Sequence, residues 1–177
     1  MSESGEHKRI QDEHDLCRRN PQNYLDIINR RIEANPADPQ GYFDRHYGWM
    51  RMHEPHKALA DLSKVIELQP DQIAFLVRGR VNRHLGDYEN ALADFSRGEA
   101  MEPEQWRNDA MGLLYQADCY ARLGNEPDAL ACCARLPDNF WTPGPRGAPA
   151  GGKTEIANEL RRIAAAARIN SDGHTRN

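Results

Sequence analysis

The segment that most resembles a chemical site is 147–154, GAPAGGKT. It satisfies the pattern GxxxxGK[ST], in which a glycine-rich loop wraps phosphates and the lysine binds them. A working loop of this kind joins a buried strand to a helix and needs an acidic magnesium ligand after another strand. The preceding DNFWTPGPR is rich in proline and has no β-branched run. Nucleotide binding is therefore only a distant alternative to a Pro/Gly linker, and we expect no cofactor.

A second candidate is the histidine-rich stretch that contains His46, His53, Glu54 and His56, with His84 further along the chain. His53 and Glu54 do not begin the HExxH zinc pattern, since only two residues separate His53 from His56. The intervening proline is typical of a helix start, which places both histidines at a solvated turn. The spacing therefore predicts no metal site.

The four cysteines, Cys17, Cys119, Cys132 and Cys133, lack CxxC spacing. Neighbouring cysteines rarely bridge each other, so we expect four free thiols that pack as small apolar groups. No Ser or Cys has a His and an acid placed beside it by the sequence pattern, and we expect no enzyme activity.

Composition points to an ordinary water-soluble protein. The 177 residues carry a net charge of -4 and 39% hydrophobic residues, which gives no reason to expect nucleic acid or an anionic membrane as partner. No stretch approaches the roughly 20 apolar residues that span a bilayer, and MSESGEHKRI lacks the apolar core of a secretory signal. We therefore expect a cytoplasmic protein.

The elements that must position these residues are revealed by an internal repeat. Residues 41–70 align without gaps on residues 74–103 at an offset of 33, and both copies contain the tetrapeptide Ala-Leu-Ala-Asp. After a short insertion around Trp106, a third copy places Gly124 opposite Gly86. A partial copy, 20–36, aligns on 54–70 at an offset of 34.

Each repeat is predicted to form two helices, separated by a glycine break and ended by a proline. Glycine suits the break because it adopts positive φ at little cost. Small residues early in the second helices should allow the two helices to approach closely, opposite small residues on the first helices. The former are Ala58, Ala91 and Ala129, and the latter are Gly79 and Ala117. One turn later, Leu62, Phe95 and Cys133 should fill the core.

The repeated pattern resembles the tetratricopeptide repeat (TPR) family, whose signature recurs about every 34 residues. The first full copy carries it at Tyr42, His46, Trp49, Ala58, Leu62 and Pro70. The second carries it at Phe75, Gly79, Asn82, Gly86, Tyr88, Ala91, Phe95 and Pro103. The third carries it at Leu113, Ala117, Tyr120, Gly124 and Ala129. Two departures are His46, where a small residue is usual, and a partial N-terminal copy without a convincing first helix.

The resemblance implies an all-α helix-hairpin solenoid of three full tetratricopeptide-like repeats, with a partial N-terminal repeat and a C-terminal capping helix. The repeat domain covers 11–136, with a partial repeat at 11–38 and full repeats at 39–71, 72–104 and 110–136. A Pro/Gly linker, 137–152, leads to the capping helix, 153–169. The polar ends, 1–10 and 170–177, are expected to be disordered.

In this fold the first helices line a groove, and the resemblance implies a non-catalytic adaptor or scaffold that binds a partner peptide or protein there. Aromatic, Met and Arg side chains predominate among the predicted lining residues and suit apolar anchors and acidic groups. These residues are Gln40, Phe43, Asp44, Tyr47, Met50, Arg51, Ile73, Leu76, Val77, Arg80, Arg83, His84, Met111, Leu114, Tyr115, Asp118 and Arg122. The positions with which some family members clamp acidic chaperone tails hold Phe43, Tyr47, Val77, Met111 and Tyr115 instead, so that activity is not supported.

The capping helix has an apolar stripe of Ile156, Leu160, Ile163 and Ala167. The stripe could cover the last repeat, occupy the groove of its own chain, or dock into a second copy. A homodimer or self-assembling scaffold that uses this helix is therefore the alternative to a groove-binding adaptor.

Overall fold

The computed structural model describes the backbone of residues 3–102, 109–144 and 147–174, and the side chains of residues 11–102, 109–144 and 147–171. The expected insertion around Trp106 lies outside these ranges, as does the predicted end of the second full repeat at 103–104. The chain divides into two compact units. Unit 1 covers residues 1–74 and unit 2 covers residues 75–177.

Unit 1 consists of helices that form two consecutive hairpins. They are α1 (Glu3–Arg19), α2 (Pro21–Ala34), α3 (Pro39–Arg51) and α4 (Pro55–Leu68), and α5 (Gln72–Leu85) begins here. Proline at the first position starts three of them, because it loses no hydrogen bond there. Helix α1 includes residues 3–10, where the sequence led us to expect a disordered tail, and it supplies the first helix that the partial repeat lacked.

The core between α1 and α2 is small and apolar. Cys17, Tyr24, Ile28 and Ile32 are buried together, with Leu16 and Tyr42 against them. The last three buried members lie on α2 at a four-residue spacing, which is one face of a helix. This face was visible in the sequence, but α1 was not, because its own sequence is strongly polar.

Unit 2 contains the rest of α5, then α6 (Tyr88–Met101), α7 (Ala110–Arg122) and α8 (Glu126–Ala134). The side chains of Asp87, Asp109 and Asn125 cap α6, α7 and α8 by accepting hydrogen bonds from backbone N–H groups in the first turn. The core is one cluster that runs from Ala91 and Phe95 on α6, through α7 and α8, to the C-terminal helix.

The hairpin geometry expected from the repeat is confirmed. Gly86 and Gly124 have φ of +83° and +76°. The small residues of the second helices, Ala58, Ala91 and Ala129, are completely buried. A Cβ on Gly79 would lie 2.7 Å from the Phe95 ring, which shows how closely α5 and α6 approach.

The C-terminal region is more ordered than a linker followed by a short helix. Strands β1 (Trp141–Thr142) and β2 (Gly151–Gly152) pair antiparallel within the predicted linker. Helix α9 (Lys153–His174) then packs on α7 and α8 of its own chain. Ile156 and Leu160 of the expected stripe are fully buried there with Ala164, whereas Ile163 and Ala167 are half-buried. The helix continues through 170–174, part of the segment expected to be disordered.

The expected fold class, an all-α fold of repeated helix hairpins, is confirmed. Within the described ranges, no helix is both long and apolar enough to cross a bilayer.

Candidate interaction surfaces

The open aromatic surface of unit 1 lies on α3. Tyr47 is 41% exposed, and its ring centroid lies 6.0 Å from that of Phe43, 4.0 Å from that of His46 and 5.9 Å from that of His14. His46 is buried and its Nδ1 is bonded to the Phe43 carbonyl, so the imidazole that replaces the usual small residue forms the base of this group. We call Phe43, His46 and Tyr47 the aromatic patch.

A cleft of about 250 Å³ opens beside the aromatic patch. Its walls combine apolar side chains with two carboxamides and one carboxylate, which suits an apolar side chain of a peptide whose backbone needs hydrogen-bond partners. It is lined by Pro39, Gln40, Phe43, Val65, Gln69, Asp71 and Ile73. Ile73 is 58% exposed, so its apolar surface is available to a partner.

The carboxylate of Asp44, a predicted groove residue, is hydrogen-bonded to other side chains of unit 1. Its carboxylate accepts hydrogen bonds from Gln40 Nε2 at 2.7 Å and from Arg31 Nη1 at 3.0 Å. Burial raises the pKa of Asp44 above its usual value, and the bonds from Gln40 and Arg31 oppose this effect. Arg31 also contacts Glu13, which ties α1 to α2 and α3. Asp44 therefore links α3 to α2 through Arg31.

The other predicted residues of α3 differ in accessibility. Arg51 is exposed, and Met50 is half-buried. Among the predicted residues of α3, Arg51 is thus the exposed charge beside the aromatic patch.

Four predicted groove residues of unit 2 are buried, so their side chains are not accessible to a partner. Leu114 and Asp118 are fully buried, and Arg83 and Tyr115 are nearly so. Asp118 Oδ2 accepts a hydrogen bond from Arg83 Nη1 at 2.5 Å, and its Oδ1 accepts one from Arg122 Nε at 2.9 Å. Helical periodicity places these residues on the inner face, but α5 and α7 contact each other there, through Arg83 and its partners Asp118 and Tyr115.

The remaining predicted residues of unit 2 are accessible to different degrees. His84 is exposed, whereas Leu76, Val77, Arg80, Met111 and Arg122 are half-buried. The guanidinium of Arg80 lies over the Tyr115 ring, with Cζ 5.5 Å from the centroid. Arg122 also donates to the Gly147 carbonyl at 2.9 Å. Its guanidinium therefore binds both Asp118 of α7 and the loop that precedes α9.

A repeated ion pair was missed by our sequence reasoning. Arg45 binds Asp61 with Nε–Oδ2 at 2.9 Å and Nη2–Oδ1 at 2.6 Å, and Arg78 binds Asp94 with the same two distances. Both carboxylates are buried. The signal was present, because both members of the pair recur at the same offset. These bidentate pairs join the two helices of a hairpin.

The segment 147–154 does not form a phosphate-binding loop. Lys153 Nζ donates to the Leu136 carbonyl at 2.8 Å and to Asp138 at 3.1 Å. Strand β2 has two residues and pairs antiparallel with β1, unlike the buried strand of a nucleotide site. The lysine that would bind phosphate instead fastens the start of α9 to the end of α8.

The four cysteines are free and buried, as expected. Burial raises the pKa of Cys119 to about 12 and that of Cys132 to about 11, so both thiols stay protonated and unreactive at neutral pH. Among the residues that the structure describes, no three His, Cys, Asp or Glu side chains are grouped to hold a metal ion.

No family model matches the chain. Among curated proteins, the human SGT1 homologue is 31% identical over 90 residues, which is 50% of this chain and 25% of that protein. The bovine SGT1 homologue is 28% identical over 118 residues, which is 66% of this chain and 34% of that protein. The chain thus spans about a quarter to a third of the length of these relatives.

Solved structures share the fold over a much larger part of the chain. MamA from Desulfovibrio magneticus RS-1 superposes with a TM-score of 0.65 at 14% identity, covering 99% of this chain and 89% of that one. YrrB, described as a TPR protein with an unusual peptide-binding site, gives a TM-score of 0.64 at 16% identity, over 89% of this chain and 75% of that one. A thermophilic TPR protein from Thermus thermophilus gives 0.55 at 19% identity, over 91% and 77%. Together with the internal repeat, these likenesses show that the chain has the fold of the tetratricopeptide-repeat proteins.

Proposed function

We propose that the chain is a non-catalytic protein–protein interaction module, an adaptor that binds a partner peptide through the first helices of its hairpins. The observation that carries this proposal is the aromatic patch of α3 beside an open cleft. Tyr47 packs against Phe43, Phe43 and Ile73 line the cleft, and Tyr47 and Ile73 both expose apolar surface. Large apolar side chains that remain open beside hydrogen-bonding groups are typical of binding surfaces.

The proteins that share this fold support the general proposal of a protein-binding module. YrrB carries a peptide-binding site on the same kind of fold, at 16% identity. A shared fold does not transfer a ligand, so the partner must be identified from the surface of this chain.

Self-assembly through the C-terminal helix receives less support. The faces of Ile156, Leu160 and Ala164 are covered by α7 and α8 of the same chain. Among the side chains of α9 that the structure describes, Ile169 is the large apolar one left exposed, at 72%. One isolated side chain is a small contact compared with the roughly 800 Å² per partner of a stable interface.

The test is a selection of phage-displayed random peptides on the immobilised full chain, followed by affinity measurements with fluorescein-labelled copies. We expect Tyr47→Ala to weaken binding by about tenfold or more, because truncation of an aromatic anchor commonly costs more than about 1.4 kcal/mol. Ile169→Ala is the matched control, since it removes exposed apolar surface from another helix and should leave affinity unchanged.

Failure to select any peptide, or equal affinity in wild type and Tyr47→Ala, would overturn the proposal. Light scattering over a dilution series addresses self-assembly. A mass that rises with concentration in wild type and stays monomeric in Ile169→Asp would favour the scaffold.

A further inference from the structure

The arginines of unit 2 differ in how their charges are balanced. Asp118 is fully buried, and each of its carboxylate oxygens is taken by one guanidinium, Oδ2 by Arg83 and Oδ1 by Arg122. One negative charge therefore faces two positive charges. Both oxygens of Asp118 thus already accept from an arginine, and among the described residues no third arginine bonds to it.

Arg80 is a further arginine of unit 2. It lies on α5 one turn before Arg83, half-buried, and its guanidinium is over the Tyr115 ring. Among the residues that the structure describes, it has no carboxylate within ion-pairing distance. The Tyr115 ring, over which Arg83 also lies, limits the motion of the Arg80 guanidinium, so less side-chain entropy is lost when a ligand binds it.

The surroundings of Arg80 suit a polypeptide ligand. Val77 and His84 lie three and four residues from it, which places all three on one face of α5. Val77 is half-buried, and His84 is exposed. The surface thus offers an apolar contact, a planar cation and a further hydrogen-bonding side chain along one helix.

The charge balance also indicates which acidic group fits. A single open guanidinium balances a single negative charge and forms a bidentate pair with a carboxylate. A phosphate group carries nearly two charges at neutral pH and is usually bound by an arginine cluster. Here the two neighbouring arginines are already held by Asp118.

From this arrangement we infer that Arg80, which lies over the Tyr115 ring, binds an Asp or Glu side chain of a partner peptide and so selects for acidic partners. The inference rests on the proposed function and adds the chemistry of the ligand. Arg80 lies on α5, whereas the aromatic patch that supports the proposed function lies on α3. The acidic preference can therefore be disproved while peptide binding itself stands.

The experiment uses the fluorescein-labelled peptides obtained from the phage selection on the full chain. Each peptide is synthesised as selected, with every Asp and Glu changed to Asn and Gln, and with phosphoserine at the acidic positions. Affinities are measured for wild type, for Arg80→Gln, and for Arg161→Gln, which removes one positive charge from an exposed position on α9. Circular dichroism shows whether each variant is folded.

We expect wild type and Arg161→Gln to bind the acidic peptides about tenfold more tightly than their amide versions, as a charge-assisted hydrogen bond predicts. Arg80→Gln should bind the two versions equally, with the amide affinity unchanged. A further variant, Arg80→Glu, is measured with an additional peptide version in which Lys replaces each acidic residue. It should prefer the Lys version, which keeps the test decisive if Arg80→Gln has an unexpected effect on packing.

Selected peptides without acidic residues, or an acidic preference that Arg80→Gln retains, would overturn the inference while peptide binding itself stands. Tighter binding of the phosphoserine versions than of the Asp and Glu versions would overturn the choice of a carboxylate. Absence of any selected peptide would instead overturn the proposed function.

Discussion

The turns between paired helices differ between the two units. In unit 2 the hairpins turn at Gly86 and Gly124, with φ of +83° and +76°. The corresponding turn of unit 1 uses His53, which has φ of +58°. A side chain in this left-handed region is strained by roughly 1–2 kcal/mol, because its Cβ approaches the following carbonyl. The same turn geometry is therefore kept in unit 1 with a residue that fits it less well.

The units also differ in buried charge. Each contains one bidentate pair within a hairpin, Arg45–Asp61 in unit 1 and Arg78–Asp94 in unit 2. Unit 2 adds Asp118 and its two arginines, whereas the carboxylate of unit 1 that pairs between hairpins, Asp44, keeps partial access to solvent. The third full repeat has Gln116 and Cys132 at the positions of the bidentate pair. The hairpin can thus be closed without charges, so the ion pair is one solution among several.

The largest difference between the units should appear when a carboxylate is neutralised. Asp118→Asn should lower the free energy of unfolding by about 3–5 kcal/mol, because it removes a fully buried negative charge that pairs with Arg83 and Arg122. Asp44→Asn in unit 1 should cost less than about 1 kcal/mol, since Arg31 is 31% exposed and can be solvated. Urea unfolding followed by circular dichroism measures both. Equal losses would contradict the distinction between a buried and a half-exposed pair.

The repeated ion pair should give similar losses in the two units. Asp61→Asn and Asp94→Asn should each cost about 2 kcal/mol, as expected for a lost hydrogen bond to a charged group. Arg45→Gln combined with Asp61→Cys copies the third repeat and should cost less than Asp61→Asn, because no buried charge is left without its partner. A double variant that unfolds more easily than Asp61→Asn would show that the third repeat depends on compensations elsewhere.

Alkaline pH should destabilise unit 2 through the buried thiol of Cys119. Burial raises the pKa of Cys119 to about 12 from 9.0, so the folded state keeps a proton that the unfolded state releases. This stabilisation is fully present below pH 9 and is lost as the pH rises towards 12, by up to about 1.36 kcal/mol per pH unit. Cys119→Ala should flatten the decline in unfolding free energy above about pH 9 by this slope.

Cys17→Ala is the control from unit 1. Burial also raises the pKa of Cys17, but Arg51 opposes this effect, so the flattening should be weaker. Identical pH profiles for wild type and Cys119→Ala would contradict the assignment of the alkaline loss to this thiol.

The smallest effect should come from the turn of unit 1. His53→Gly should increase the stability of unit 1 by up to about 1 kcal/mol and so raise its melting temperature. The reason is that relief of left-handed strain outweighs the added freedom of the unfolded chain. Gly86→Ala should instead destabilise unit 2 by about 1 kcal/mol. Calorimetry detects both changes, and a loss of stability in His53→Gly would mean that the imidazole makes contacts worth more than the strain.

Much of the hairpin arrangement was predictable because its signals are local. Gly86 and Gly124 mark turns, and Ala58 and Ala91 mark close approaches, since each reflects a backbone or steric requirement within one hairpin. Helix α1 was missed because its sequence is polar, and among its described side chains Cys17 and Leu16 near its end contribute to the small core. Lys153 satisfied a motif whose meaning depends on strands that are distant in the sequence.

The candidate surface divides in the same way. Tyr47, Ile73 and His84 were expected to be open and are exposed, because they lie on first helices at positions that the paired second helix cannot reach. Arg83, Tyr115 and Asp118 met the same periodic criterion and are buried. Periodicity defines the side of a helix, but it does not define how much of that side the next hairpin covers.

The sequence by itself determined the class of fold, the repeat register and the positions of the turns, because helix propensity, apolar spacing and glycine conformation act over a few residues. Only the tertiary structure decided which inward residues remain accessible, how Asp118 shares its charge between two arginines, and that α9 covers its own last hairpin. These outcomes depend on contacts between residues as far apart as Arg83 and Asp118, or Lys153 and Leu136, whose proximity arises when whole helices pack.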